Sequence, residues 1–175
     1  VDKNPYSQQV GINKGAIDGV YLSQPVIDDK GIVGQVMEVG STNSRVLLIA
    51  DVTHAIPVRS LRNDIRFIAT GSGALNELYL EHVPHSVDIQ EGDTLISSGL
   101  GKVFPEGYPV ARVSQVVRDE SRPFARVIVT PLANLDRLRH LLLLWHTPES
   151  ENESDANSTD DTDKPAVNEE ESSDA

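Results

Sequence analysis

Residues 97–110 read Ser-Ser-Gly-Leu-Gly-Lys-Val-Phe-Pro-Glu-Gly-Tyr-Pro-Val and follow the turn sequence Glu91-Gly92-Asp93. Proline presets φ and glycine permits positive φ, so Pro105-Glu106-Gly107 predicts a turn with positive φ at the glycine. The glycines at 99 and 101 precede no helix start, which argues against a phosphate-binding loop. The stretch therefore predicts a connection between strands whose structural turn residues are Gly99, Gly101, Pro105, Gly107 and Pro109.

An earlier segment repeats this order of residues. Residues 15–20 read Gly-Ala-Ile-Asp-Gly-Val and are followed by Pro25-Val26, which parallels Glu106 to Val110. An alternating apolar run follows each segment, as half-buried strands require. The chain is thus predicted to contain two related small β units.

The composition supports an all-β body. The 175 residues include 12 glycines and 10 prolines, few aromatics and no cysteine, so the apolar runs are short, β-branched and separated by turns. A chain of this length holds one ordinary domain or two small ones. Disulfides and thiolate metal sites are excluded.

The net charge of −12 is unevenly distributed. Residues 148–175 carry eleven acidic residues and one lysine, whereas residues 1–147 are nearly neutral. The segment 148–175 has almost no large apolar side chains and is predicted to be a disordered, solvated acidic tail, with an interaction tail as the alternative. A neutral body and an acidic tail disfavour nucleic-acid binding.

An ordered set of sequence blocks resembles the MreC family, the rod-shape-determining proteins of bacterial cell elongation. The resemblance covers approximately Gln9 to Trp145. The blocks are Lys14-Gly15 with Asp18-Gly19-Val20, Pro25-Val26-Ile27, Gly31 to Val36, Val46 to Asp51, Ile56-Pro57-Val58, Gly92-Asp93, Ser98 to Gly101 and Phe104 to Val110.

The resemblance implies two small six-stranded β-barrels, one inserted into the other, and the strand count agrees. The predicted outer barrel comprises residues 1–23 and 84–147, the inserted barrel comprises 24–83, and a short helical turn is expected at Ala133–Arg139. Barrel closure would remove exposed strand edges. The predicted strands are Pro25–Asp28, Ile32–Val39, Arg45–Ala50, Ala55–Arg59, Ile65–Thr70 and Glu77–His82 in the insert, and Gln8–Asn13, Val20–Leu22, Thr94–Ser97, Tyr108–Val117, Ala125–Thr130 and His140–Trp145 outside it.

The sequence has no run of the roughly 20 apolar residues that would cross a bilayer. The apolar stretch Leu141–Trp145 is predicted to be a closing strand, and no export signal is recognised at the start. The resemblance implies a soluble part placed at the periplasmic face of the inner membrane, with a membrane anchor and a coiled coil preceding it.

Asp51, His54 and either Ser72 or Ser98 are the residue types of an acid, base and nucleophile, so a serine hydrolase-like barrel is one alternative function. Asp51 and His54 lie three residues apart in one turn, and neither serine has a recognisable nucleophile context. The chain is therefore predicted not to be an enzyme.

Glu81, His82, His85 and Asp88 offer oxygen and nitrogen ligands within eight residues. Pro84 constrains the loop between the histidines, and a zinc site needs three or four converging ligands. These residues are interpreted as ordinary strand-end residues, so no metal and no cofactor is predicted.

Arg59, Arg62 and Arg66 form the only concentration of basic residues. Cross-strand pairing or solvation is one interpretation, and a docking patch for a partner protein is the other. The three arginines are the candidate partner-binding residues.

The resemblance implies a non-enzymatic scaffold of the cell-elongation complex. Such a scaffold self-associates, binds the elongation-specific class B penicillin-binding transpeptidase, and connects the MreB cytoskeleton to peptidoglycan synthesis through MreD and RodZ. The further alternative is a glycan-binding module, although the aromatic residues show no periodic stacking row.

Overall fold

The computed structural model describes residues 7–145, which form an all-β body, as the sequence predicts. Two single 3₁₀ turns, Ala16–Asp18 and Leu100–Lys102, are the only helical segments in this part of the chain. The strands are β1 (Gln9–Ile12), β2 (Pro25–Ile27), β3 (Ile32–Val39), β4 (Ser44–Leu48), β5 (Ala55–Ser60), β6 (Arg66–Gly71), β7 (Leu78–Val83), β8 (Thr94–Ser97), β9 (Pro109–Val117), β10 (Ala125–Pro131) and β11 (Leu142–Leu143).

Strands β5 to β10 close into a six-stranded barrel in the order β10-β7-β6-β5-β8-β9, with every neighbouring pair antiparallel. Alternate residues point inward, so apolar side chains fill the interior while polar ones face out. The buried interior residues include Ile56, Val58, Ala69, Leu78, Leu80, Leu95, Val113, Val127 and Val129.

The second sheet is open rather than closed. Its five antiparallel strands run in the order β1-β4-β3-β2-β11, so β1 and β11 are its edges. The prediction of two six-stranded barrels is therefore confirmed for one barrel only. The expected strand Val20–Leu22 is absent, because Gly19 and Ser23 at φ 82° and 66° place turns on both sides of it.

The strands divide between the two sheets differently from the predicted division at 24–83. All six strands expected in that segment exist, but β2 to β4 belong to the open sheet and β5 to β7 to the barrel. The barrel strands occupy 55–131, between β4 and β11 of the open sheet. Counting strands cannot reveal which sheet each strand joins, because strand pairing is decided by contacts between residues distant in sequence.

The helical turn expected at Ala133–Arg139 is not a helix. The segment contains two local hydrogen bonds, from the Leu135 amide to the Ala133 carbonyl and from the Arg137 amide to the Asn134 carbonyl, and Leu135 is buried. The Asn134 amide also donates to the Asp28 carboxylate at 3.0 Å, which attaches this segment to the open sheet. The predicted tail 148–175 lies outside the described residues.

Asp51 holds the crossing from the open sheet to the barrel. Its buried carboxylate accepts hydrogen bonds from the amide of Gln8 at 2.7 Å and from both the amide and the hydroxyl of Thr53. A Cβ on Gly71 of β6 would lie 2.0 Å from the Asp51 carbonyl oxygen, so only glycine permits this close approach. One residue thus connects the entry to β1, the crossing turn and the barrel.

The loop from β8 to β9 is held by Ser97, which is fully buried. Its hydroxyl donates to the Pro105 carbonyl at 2.5 Å and accepts from the Tyr108 amide at 2.9 Å, while its carbonyl accepts from the Gly107 amide. Gly107 has φ 94°, which confirms the positive φ that the turn sequence predicts, and Gly99 and Gly101 have φ 76° and 78°.

Substituting Gly107→Val tests the backbone requirement of this loop. No other atom lies within 4 Å of a Cβ at this position, so the cost comes from backbone strain and not from a clash. We expect a loss of about 1–3 kcal/mol in the free energy of unfolding, measured by urea denaturation. Gly11→Val is the control, because Gly11 has equal space and no positive φ; wild-type stability for Gly107→Val would contradict the prediction.

The strand grouping predicts which fragments fold. A fragment of residues 51–132 contains all six barrel strands, so it is expected to unfold cooperatively on heating. A fragment of residues 24–83 contains three strands from each sheet, and we expect it to lack a cooperative transition. Calorimetry of both fragments provides the measurement, and a cooperative melt of 24–83 alone would contradict this grouping.

Candidate protein-binding surface

Two of the three candidate arginines are engaged within the chain. Arg59 forms an ion pair with Asp64 across the β5–β6 turn, and its Nε lies 3.3 Å from Glu106 of the β8–β9 loop. Arg66 is exposed, lies opposite Arg59 in the β5–β6 register, and has no carboxylate partner among residues 7–145. Of the three, Arg66 alone has a guanidinium that remains open to a partner.

Arg62 binds two carboxylates of the loop between β7 and β8. It contacts Asp93 through two parallel hydrogen bonds of 2.9 and 3.0 Å, and its Nη1 donates to Asp88 at 2.8 Å. The hydrogen bonds to Asp93 and Asp88 raise the pKa of Arg62, and the same bonds lower the pKa of each carboxyl group. Arg62 therefore holds the β7–β8 loop against the β5–β6 turn. The sequence did not indicate this role, because Asp88 and Asp93 lie 26 and 31 residues from Arg62.

Asp51 and His54 do not form a catalytic pair. Burial by itself raises the pKa of Asp51, but the hydrogen bonds from Thr53 and Gln8 outweigh it and hold the pKa below 3.8. His54 is only 3% exposed, and neither ring nitrogen has a hydrogen-bond partner among the described residues. Its ring meets Phe104 edge-on at 5.8 Å, so His54 packs against the β8–β9 loop.

The two candidate serines complete the case against a triad. The hydroxyl of Ser72 donates to the Glu77 carbonyl at 2.7 Å, and that of Ser98 accepts from the Leu100 amide at 3.3 Å. Within the described range, no hydrogen bond joins either serine to His54. The aspartate, histidine and serines therefore serve three different local turns.

The possible metal ligands separate in the same way. Glu81 accepts from the Thr70 hydroxyl, His82 stacks edge-on against Phe124, the His85 Nε2 lies 2.8 Å from the Arg122 carbonyl, and Asp88 pairs with Arg62. Residues 7–145 contain no group of three or more ligand side chains placed to hold a metal ion.

The outer wall of the barrel carries a surface that the sequence pattern alone does not single out. It is formed by Tyr79, His82, Phe124, Arg126 and Ile128, and we call it the Phe124 surface. The β7–β10 register places Ile128 opposite Tyr79, and the Arg126 guanidinium lies 5.5 Å from the centre of the Tyr79 ring. The outward alternation of Arg126 and Ile128 along β10 was the available signal.

A different apolar surface lies on the open-sheet side of the chain. Tyr21 and Trp145 contact each other at 6.2 Å, and Ile17 and Leu22 are exposed nearby in sequence. Among residues 7–145 the ring–ring contacts are the separate pairs Tyr21–Trp145, His54–Phe104 and His82–Phe124, and they form no continuous row. Among the described helical segments, none has the length and apolar character needed to span a bilayer.

The state of His54 predicts an acid-sensitive fold. Burial lowers the pKa of His54 from 6.5 to about 4, while the Asp51 carboxylate raises it in part. The unfolded chain therefore binds a proton before the folded chain does, and stability is lost as the pH falls from 6.5 towards 4. We expect a loss of about 2–3 kcal/mol between pH 7 and pH 4.5, measured by urea unfolding.

The variant His54→Leu should lose this pH dependence and keep its stability at pH 7, because the imidazole nitrogens make no hydrogen bonds that leucine would break. His140→Leu, at an exposed position, serves as the control. An unchanged acid sensitivity in His54→Leu would assign the effect to another group. The pKa of Asp51 is lowered from 3.8, so its contribution to stability is lost only as the pH falls below about 3.8, outside this window.

Comparison with known proteins places the fold. The chain is 50% identical to the crystal structure of MreC from Pseudomonas aeruginosa, with a TM-score of 0.80 over 83% of this chain and 94% of that chain. A chain from the complex between penicillin-binding protein PBP2 and MreC from Helicobacter pylori matches with a TM-score of 0.63 over 82% of this chain and 88% of that chain. At 20% identity, this second likeness shows the fold alone.

Sequence comparison finds relatives in the same family as the structural comparison. The cell shape-determining protein MreC of Haemophilus influenzae is 59% identical over 140 residues, which is 80% of this chain and 40% of that relative. The chain thus spans about two fifths of the length of that relative. The family model described as rod shape-determining protein MreC, barrel core, matches residues 1–145, and that description names no catalysed reaction. The chain therefore belongs to the MreC family of cell shape-determining proteins.

Proposed function

We propose that this chain is the extracytoplasmic part of a non-enzymatic scaffold that binds the elongation-specific class B penicillin-binding transpeptidase. In this role it self-associates and, with MreD and RodZ, connects the MreB cytoskeleton to peptidoglycan synthesis. It acts at the periplasmic face of the inner membrane, held there by an anchor outside these residues. The proposal adds to the family's role in cell shape a specific contact with one cell-wall enzyme.

The observation that carries the proposal is the fold shared with a chain of the complex between PBP2 and MreC from Helicobacter pylori. Membership of the MreC family supports a role in shape determination. The geometry supports a binding role in place of catalysis, because neither candidate serine is hydrogen-bonded to His54 and the His54 ring nitrogens have no hydrogen-bond partner among the described residues. The assignment of MreD, MreB, RodZ and a second copy as partners rests on the family resemblance.

A rigid scaffold would act on its partner through binding alone. The barrel is closed, its connections are fastened by Asp51, Arg62 and Ser97, and its outer wall presents a fixed set of side chains. Such a surface binds the partner conformation that it fits best and raises the population of that conformation. The transpeptidase would then carry out the chemistry while the scaffold sets how much of it is active.

Direct binding tests the proposal. The full chain, titrated with the periplasmic part of the class B transpeptidase of the same organism, is expected to bind saturably with a Kd of roughly micromolar or tighter. Isothermal titration calorimetry provides the measurement, and absence of binding at about 100 μM would contradict the proposal.

Two controls distinguish the alternatives. A titration with purified glycan strands tests the glycan-binding module and is expected to show no heat of binding. A transpeptidase from the division pathway, matched in size and charge, tests specificity. Equal affinity for both transpeptidases would show that the chain does not recognise the elongation-specific enzyme, and would contradict the proposal.

A further inference from the structure

The Phe124 surface combines the features of a protein-binding site on the outside of the barrel. Phe124 is 43% exposed although it is a large aromatic side chain, and Val117 beside it is 38% exposed. A shallow groove of about 290 Å³ lies between them and is lined also by Gln115, Asp119, Arg122, Arg126 and Ile128. Aromatic and arginine side chains around a groove are the composition enriched in the centres of protein interfaces.

The backbone beneath this surface is strained. A β-bulge interrupts the β7–β10 pairing between Ala125 and Val127, and His82 opposite it has φ 50°, a conformation that costs energy for a residue other than glycine. The bulge places the His82 ring edge-on against Phe124, with ring centres 5.1 Å apart. Bulges that re-aim a side chain recur beside functional sites, and here the bulge supports an exposed phenylalanine.

The charge of the surface specifies its partner. Arg118 next to it is fully used, since it donates to the carbonyls of His85, Val87 and Ile89. Arg126, in contrast, lies over the Tyr79 ring and has no carboxylate partner among residues 7–145. Asp119 and Arg122, which also line the groove, pair with each other at 3.8 Å. The groove therefore offers the Arg126 guanidinium, which has no carboxylate partner in the described range, beside the apolar side chains of Val117, Phe124 and Ile128.

A second hollow continues the surface on the other side of Arg126. It has a volume of about 370 Å³ and is lined by Tyr79, Leu80, Ala125, Arg126 and Val127. Arg126 lines both hollows, so the two hollows adjoin each other on the outer wall of the barrel. This arrangement suits an extended segment with an apolar side chain and an adjacent carboxylate.

We propose that the Phe124 surface is the docking site for the class B transpeptidase, which presents to it a segment with an apolar side chain next to a carboxylate. The apolar side chain packs on Phe124 and Ile128, and the carboxylate pairs with Arg126. This inference rests on the proposed function for the identity of the partner. It goes beyond that function by assigning the contact to one face of the barrel.

Two substitutions test the site in the full 175-residue chain. Phe124→Ser removes the apolar contact and Arg126→Glu reverses the charge, and both positions are exposed, so neither change disturbs the barrel interior. We expect each to weaken binding to the transpeptidase about tenfold or more. For Arg126→Glu the loss should fall largely on the association rate and diminish at high salt, as measured by surface plasmon resonance.

Matched controls use the open-sheet side of the chain and the segment that precedes β11. Ile17→Ser removes an apolar side chain that is 75% exposed, and Arg139→Glu reverses an exposed charge. Both should bind within about twofold of the wild-type chain, since each is distant from the site in the strand order. Thermal unfolding of all four variants verifies the fold, and Arg126→Glu, which leaves Phe124 in place, remains informative if Phe124→Ser proves unstable.

The outcomes separate the two proposals. Absence of binding by the wild-type chain overturns the proposed function and this assignment with it. Binding by the wild-type chain that Phe124→Ser and Arg126→Glu leave unchanged overturns the docking site alone. If the two substitutions instead abolish self-association in sedimentation velocity and spare transpeptidase binding, the surface joins copies of this chain and the assignment is wrong.

Discussion

The Asp51 carboxylate is the contact on which the arrangement of this chain depends. It is 2% exposed, yet each of its oxygens accepts hydrogen bonds, from the Gln8 amide and from the amide and hydroxyl of Thr53. A buried carboxylate without such donors would cost several kcal/mol, so the three groups must stay together. Because Gln8 leads into the open sheet and residue 55 begins the barrel, this one cluster fixes where the chain leaves one sheet and enters the other.

The polar contacts of the barrel follow the same logic. Arg62 fastens the β7–β8 loop through Asp88 and Asp93, and Ser97 closes the β8–β9 loop through backbone groups. These side chains join segments that are distant in sequence, so they hold long connections against a closed barrel that has no free edges. A side chain that is already paired within the chain is not available to a partner. The turn between β5 and β6 therefore offers fewer unpaired guanidinium groups than its number of arginines indicates.

The same distinction identifies what the chain offers to other molecules. His54 is enclosed beside Phe104, whereas Phe124 and Arg126 remain open on the outer wall. Catalysis needs groups that converge on one reacting atom, whereas here Ser72 and Ser98 bond within their own turns and neither is hydrogen-bonded to His54. Binding needs only a stable, shaped and partly apolar face, which a closed barrel with a strained bulge provides.

The sequence by itself determined the all-β class, ten of the eleven strands closely, and the positive φ of Gly107, because alternation and turn chemistry act within a few residues. The ordered sequence blocks also indicated the MreC family. Only the tertiary structure decided that β2 to β4 belong to a different sheet from β5 to β7 and that Val20–Leu22 is not a strand. It also decided that Arg62 is paired with carboxylates of the chain, whereas Arg126 has no carboxylate partner among residues 7–145. The physical reason is that strand pairing, burial and ion pairing join residues tens of positions apart, and one-dimensional spacing contains no measure of those distances.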